Sequence, residues 1–282
     1  ALDANGFLDT EWGYVSGAKA LDAALFLGYT SNPLVLGYRD GESAGVREAI
    51  LVGNRVGAHL VASYGLTDWL QLGMDLPVVL MQNRGEIETD TFGSITSTPL
   101  AVAGLGDLRL KPKVQAFTED TFGVDMALLT TVTVPSNTPE SGYLGESGFT
   151  FVPEMAFGRR FAELRLLSNI GARVREKDIT VGGLTLSHEI LFRLAAAYQV
   201  PNKPLEIGGS FNSTVALTDF GEKSNQNPLE VLAGLQWKYS EKIMVNSGVG
   251  MGVVAGYGAP DARVFVGLRY FDHSEDRDGD GI

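Results

Sequence analysis

Three aspartates near the end of the sequence have the residue type and spacing of a calcium-binding loop. Asp276, Asp278 and Asp280 occupy alternate positions, and Gly281 follows the third. In such loops the carboxylate oxygens converge on the ion because glycine permits a sharp turn. The glutamate that completes such a loop at its distal end is missing here, so a disordered acidic end is the alternative to a formed site. The pattern predicts calcium as the one cofactor, held in this stretch.

Histidine and serine occur close together twice, as general-base activation of a serine requires. His59 and Ser63 share one face of a predicted strand, but the strand rise separates them by about 13 Å. His188 adjoins Ser187 and therefore lies on the opposite face, and His273 belongs to the acidic end. We expect scattered polar wall residues rather than a catalytic pair, and thus no enzymatic activity.

Most other charged side chains fall at every second position of apolar stretches, which places them on one shared face. This predicted network of lumen charges comprises Arg55, Asp75, Asp107, Arg109, Lys111, Lys113, Asp125, Glu154, Arg165, Arg173, Glu189, Arg193, Glu206, Glu230, Lys238, Arg263 and Arg269. Because both signs are well mixed, we expect paired charges that narrow or close the lumen. A passive pore is the alternative, since the lumen of a barrel of this width is either filled by side chains or open to solutes.

The elements that must position these charges are β-strands of period two. In 262–271, Ala262, Val264, Val266, Leu268 and Tyr270 alternate with polar or small residues. The stretch 107–116 alternates more sharply, with charges at every second position up to 113. A slip of one residue would place those charges in lipid, at about 2 to 4 kcal/mol for each Arg or Lys near the midplane.

The composition agrees with a membrane barrel. No apolar run approaches the roughly 18 to 20 residues of a membrane helix, so insertion must be by strands in a closed barrel. The 35 glycines suit turns and a crowded inner wall, and the 0 cysteines exclude disulfides and thiolate sites. A net charge of −12 disfavours a nucleic-acid partner. A soluble barrel or sandwich is the alternative, but the proposed lipid face carries no charge.

The fold class predicted is therefore all-β: a transmembrane, antiparallel, up-and-down β-barrel of about 12 strands. The barrel spans 20–272. It follows a segment, 1–19, that is either a periplasmic extension or a lumen plug, and it precedes the start of a calcium-binding acidic linker, 273–282. Strict alternation in the third strand turns Met81 inward. Short turns alternate with longer polar loops, which predicts both barrel ends on the periplasmic side of a bacterial outer membrane.

The stretches 276–282 (DRDGDGI), 104–110 (GLGDLRL) and 32–36 (NPLVL) resemble OmpA-family envelope proteins. In these proteins an N-terminal barrel is followed by thrombospondin type 3-like calcium repeats and a peptidoglycan-binding domain. The resemblance implies an anchor in the outer membrane bilayer, bound to peptidoglycan through a further C-terminal domain. It also implies loops that contact a surface adhesin or another envelope protein in cell-cell contact. A passive pore for small solutes is the alternative function.

Overall fold

The computed structural model describes residues 1–39, 46–85, 100–138, 143–146, 148–181, 184–218, 227–254 and 259–272. The predicted residues Asp276, Asp278, Asp280 and His273 lie outside these ranges. No helix in the described ranges is long and apolar enough to cross a membrane.

Twelve long antiparallel strands form the described fold, together with three short strands and one short helix. The long strands are β1 (Leu21–Arg39), β2 (Val46–Gly65), β3 (Leu70–Asn83), β5 (Leu108–Phe117), β6 (Asp125–Val134), β7 (Thr150–Phe161), β8 (Leu164–Arg175), β11 (Glu189–Gln199), β12 (Leu205–Ala216), β13 (Leu229–Ser240), β14 (Ile243–Val254) and β15 (Ala262–Asp272). The short elements are β4 (Gly104–Leu105), α1 (Glu119–Phe122), β9 (Ile179–Val181) and β10 (Leu184–Leu186).

The sheet closes on itself, because β1 pairs with both β2 and β15. The closing register runs from Leu21 opposite Asp272 to Ser31 opposite Ala262. Each long strand otherwise pairs with the next long strand along the chain. The predicted twelve-stranded up-and-down barrel is therefore confirmed. Its long strands have 10 to 20 residues, which suffices for a bilayer that needs about 9 to 11 residues per strand.

The two faces of the barrel differ as the alternation predicts. Large apolar side chains such as Leu25, Leu128 and Val266 are exposed on the outside. Polar side chains such as Gln71, Glu154 and Asn246 are buried on the inside. Since lipid tails cover the outer face and offer no hydrogen bonds, the inner face must enclose the charges.

One predicted orientation is wrong. Met81 is exposed on the outer face, whereas its neighbour Gln82 is buried. The pairing of β2 with β3 slips between Val56 and Gly57, which face Met81 and Val79 respectively. This irregularity inserts one residue into β3 and turns the side chains that follow it to the opposite face.

The two ends of the barrel are unequal. The connections 66–69, 118–124, 162–163, 200–204 and 241–242 all lie at the end where β1 begins and β15 ends, which we call the short-turn end. The connections between β3 and β5 and between β6 and β7 lie at the opposite end and are longer. Exposed aromatic residues, among them Trp69, Phe161 and Tyr239, collect at the short-turn end, as at a membrane interface.

Candidate functional site

Residues 1–20 lie inside the barrel and form a compact segment, which we call the plug. Leu2, Phe7, Thr10, Trp12 and Val15 are all buried there. Most wall residues that bind the plug, among them Lys113, Asp125, Arg165 and Arg269, lie in the halves of their strands next to the short turns. Of the two positions predicted for 1–19, the structure therefore shows the segment in the lumen, at the short-turn end.

Polar side chains of the wall hold the plug backbone. Asn169 on β8 accepts a hydrogen bond from the Glu11 backbone N–H at 2.8 Å and donates one to the Glu11 carbonyl at 2.9 Å. Gln115 on β5 accepts from the Val15 N–H at 2.7 Å and donates to the Gly13 carbonyl at 2.8 Å. These amides satisfy buried backbone groups of the plug that have no strand partner.

Charged groups also bind the plug. The Asp3 carboxylate lies 3.1 Å from the Lys113 ammonium, and both side chains are buried. Arg269 donates to the carbonyl oxygen of Leu2 at 2.8 Å. Burial alone raises the pKa of the Asp3 carboxyl, but Lys113 and then Arg269 more than offset this, so the pKa lies below its ordinary value. Asp3 is therefore ionised at neutral pH.

Trp12 anchors the apolar side of the plug. Its indole N–H donates to the Asp125 carboxylate at 2.7 Å, and the guanidinium of Arg165 lies 5.1 Å from the ring centroid. Phe7 and Trp12 pack with Leu167 of β8 and with neighbouring alanines of β11.

Glycines of the inner wall provide the space for these plug side chains. A Cβ atom at Gly158 would stand 2.6 Å from the Trp12 ring, and one at Gly73 would stand 2.4 Å from the Leu2 side chain. Any larger residue would displace the plug side chain, so the wall and the plug are complementary in shape.

A cavity of about 920 Å³ occupies the lumen beyond the plug. The plug residues Leu8, Asp9 and Glu11 form its floor, and its wall continues to Tyr143 and Glu146 near the long-loop end. A second space, of about 10 Å³, lies between the plug and strands β13 to β15. This second space holds about one water molecule, so the plug leaves at most a very narrow passage there.

The structure brings most of the predicted lumen charges into ion pairs. The pairs are Asp75 with Arg109 (3.2 Å), Arg165 with Glu206 (2.5 Å), Arg173 with Glu189 (2.8 Å), Arg193 with Glu154 (2.6 Å) and Arg263 with Glu230 (3.0 Å). Arg269 lies 3.7 Å from Asp22. Arg175, outside the predicted set, joins Glu189 at 2.9 Å. The pairs line the wall and leave the central cavity open.

Five predicted members serve other contacts. Asp107 accepts hydrogen bonds from the backbone N–H groups of 136, 137 and 146, and so holds the long loops. Asp125 binds the plug and the start of α1. Arg55 donates to Gln82 and to the Tyr143 carbonyl, both at 2.9 Å. Lys238 lies 5.8 Å from the Phe271 ring, and Lys111 lines the cavity.

The histidines and serines considered for catalysis have separate partners. His59 Nδ1 lies 2.9 Å from the Asp75 carboxylate, whereas the Ser63 hydroxyl accepts a hydrogen bond from Gln71 at 2.7 Å. His188 Nδ1 accepts from the Arg175 backbone N–H. The described residues include no group of three or more His, Cys, Asp or Glu side chains positioned to hold a metal ion.

Comparisons with known proteins bear on the fold. No protein-family model and no curated protein sequence matches the chain. The fold is similar to that of an outer membrane channel from Pseudomonas putida F1, at 13% identity and a TM-score of 0.65, over 94% of this chain and 100% of the channel. It is also similar to the NanC porin, at 9% identity and a TM-score of 0.56, over 89% of this chain and 99% of the porin. The chain has the fold of an outer membrane β-barrel.

Sequence reasoning missed the plug side of this barrel. Asp3, Glu11 and Trp12 lie in a stretch without regular alternation. The wall residues that bind the plug backbone at Glu11 and Val15, Asn169 and Gln115, are uncharged. The sequence did contain one indication of the plug, namely the glycines on the inward face of several strands. Each such glycine marks a place where another group approaches the wall closely.

Proposed function

We propose that this chain forms a channel for small solutes in the bacterial outer membrane, with residues 1–20 as the element that closes one end. The observation that carries the proposal is the 920 Å³ cavity with the plug as its floor. A barrel that serves only as an anchor has no need of such a space, because wall side chains alone can fill a barrel of about eight strands.

The way the lumen is filled supports a channel in which the plug moves. Wall side chains fill barrels of about eight strands, and those of 16 to 18 strands leave an aqueous channel. Here the wall leaves a cavity, and a separate segment fills the rest. Residues 1–18 can leave without breaking any strand pair, since the closing register joins β1 directly to β15 and the backbone bonds to the end of β2 come from Lys19 and Ala20.

The orientation of the barrel forms part of the proposal. Short turns of outer membrane barrels face the periplasm and longer loops face outward. The short-turn end, and the plug within it, would then face the periplasm, and the cavity would open toward the outside. The lipid bilayer is the partner of the outer face, and the proposed activity is passage of solutes without a catalysed reaction.

Anchoring is the second candidate, and the sequence of 276–282 favours it. If those aspartates begin a set of calcium repeats, the barrel would also tie the outer membrane to peptidoglycan and present its loops to a surface adhesin. The two functions are compatible in one chain. Calcium binding by Asp276, Asp278 and Asp280 remains a prediction, to be tested by calorimetric titration of the purified protein with Ca²⁺.

Recording from planar bilayers tests the channel. We expect discrete current steps separated by long closed periods, because the plug must leave before ions cross. The variant Trp12→Ala should shorten the closed periods. Absence of current from both proteins, after correct folding has been verified, would refute the proposal.

A further inference from the structure

The cavity wall presents cations to the solvent and keeps their acidic partners covered. In four pairs the arginine side chain is 22 to 41% exposed, whereas the carboxylate side chain is 4 to 8% exposed. The exposed members are Arg109, Arg173, Arg193 and Arg263. A solute that enters the cavity therefore meets guanidinium groups before it meets their carboxylates.

A further cation strengthens this asymmetry. Lys111 lines the cavity and makes no ion pair with any residue in the described ranges. Its ammonium group therefore adds positive charge to the surface that a solute meets.

The acids at the cavity surface are less available than their number suggests. Asp107 accepts three backbone N–H groups of the long loops and one side-chain amide of Asn137. On the plug, Asp9 accepts hydrogen bonds from Ser210 and Asn212 at 2.7 Å each. Donors already occupy these oxygens, so they attract a passing cation weakly.

We infer that the solutes admitted to this cavity are small organic anions that carry carboxylate groups, an inference that rests on the proposed channel function. Arginine presents five N–H donors in a planar fork that matches a carboxylate, and each fork here retains donors beyond those used by its acidic partner. Rings of Arg or Lys select anions in pores generally. The protein as a whole has a net charge of −12, so this concentration of exposed cations is local to the lumen.

The covered carboxylates also set the strength of binding. Each one lies beside its arginine and reduces the attraction that the guanidinium exerts on a solute. Binding that is weak and spread over several sites lets an anion enter and then leave, as conduction requires. We therefore expect millimolar rather than micromolar affinity.

Titration calorimetry on the full chain in detergent measures the affinity for citrate, which serves as the carboxylate probe. Sucrose is the neutral comparison. Lys111→Glu reverses a cavity charge without breaking an ion pair among the described residues. Lys203→Glu makes the same change on an exposed turn at the short-turn end, outside the cavity. We expect Lys111→Glu to weaken citrate binding about five-fold or more, and Lys203→Glu to leave it unchanged.

The reversal potential across a bilayer with a KCl gradient separates this inference from the channel proposal. Preference for chloride, reduced at least two-fold by Lys111→Glu, supports the inference. A current without preference for chloride would overturn the inference, and so would equal citrate affinity of the Lys111→Glu and Lys203→Glu variants. Neither result would count against the proposed channel function. Citrate binding by a correctly folded protein that never conducts would instead overturn the channel.

Discussion

Replacing Trp12 with alanine is expected to release the plug while the barrel stays folded. The indole is 5% exposed, donates to Asp125 at 2.7 Å and lies over Gly158, where even a Cβ atom would stand 2.6 Å from the ring. None of these contacts contributes to the pairing of one strand with the next. The substitution therefore acts on the equilibrium between docked and released plug.

The size of the effect follows from burial. Truncating a buried Trp to Ala costs about 3 to 5 kcal/mol, and a released plug is hydrated much as an unfolded chain is. The hydrogen bond to the carboxylate adds to this cost, because Asp125 loses one of its donors. At about 1.4 kcal/mol for each tenfold change, the ratio of released to docked plug rises by about two to three and a half orders of magnitude.

Single-channel recording measures this ratio directly as open against closed time. Chymotrypsin supplies a second measurement, because Phe7 and Tyr14 become cleavable once the plug is released. Trp69→Ala is the matched control, since this tryptophan is 55% exposed on the outer face near a turn. If the open fraction of Trp12→Ala lay within ten-fold of that control and its plug stayed protected, the anchoring role of Trp12 would be refuted.

Three further predictions concern the same plug. Gly158→Ala forces a methyl group against the Trp12 ring, at a cost of about 1 to 3 kcal/mol, so the fraction of time that the channel is open should rise. The same substitution should leave the open fraction of the Trp12→Ala variant unchanged, and a double-mutant cycle of recordings tests this. Asp3 has a lowered pKa, so its contribution to plug binding is present above its unfolded value of about 4 and is lost as pH falls through the lowered value. Pepsin, which is active in acid, should therefore cleave the released plug at Phe7 below about pH 4, and the loss of protection with falling pH should be less steep in Asp3→Asn. In this cysteine-free chain, the double variant Leu2→Cys with Gly73→Cys should lock the plug in place when it is oxidised. The Leu2 Cγ lies 2.8 Å from a Cβ built at Gly73, and a disulfide separates one Cβ from the far sulfur by roughly 3 Å. If dithiothreitol did not raise the current of this variant, the result would count against a mobile plug.

The strands were predictable because lipid enforces strict alternation. In β5, Leu110 is exposed and Lys113 buried, and no other register keeps its charges out of hydrocarbon. Met81 departed from prediction because the irregularity that turns it outward arises from pairing between strands, which the alternation within one strand does not encode.

The plug was harder to predict than the strands. Its contacts run from backbone groups to amide side chains such as Asn169 and Gln115, so neither partner has a periodic signature. Charge complementarity gave little help, because Asp3 and Lys113 are 110 residues apart in sequence. Shape supplied the missing information, and it is visible only once the inward glycines and the plug side chains are seen together.

The same glycines explain how the charges pair across the wall. Glu154 on β7 reaches Arg193 on β11 at 2.6 Å, although β8 lies between these strands. Neighbouring strands are about 4.8 Å apart, so the two side chains must cross the inner surface of β8, and they cross at Gly171, where a Cβ would stand 2.5 Å from Glu154.

The pair Arg263 with Glu230 repeats this arrangement across β14. There Gly250 lies beneath the carboxylate, with a Cβ position 3.3 Å from Glu230 Oε1. A side chain at either glycine would block the bridge and push its arginine toward the centre of the cavity. Glycine in this wall therefore does more than relieve crowding. It keeps each carboxylate flat against the sheet, beneath the guanidinium that faces the solute, and so produces the difference in exposure from which anion preference follows.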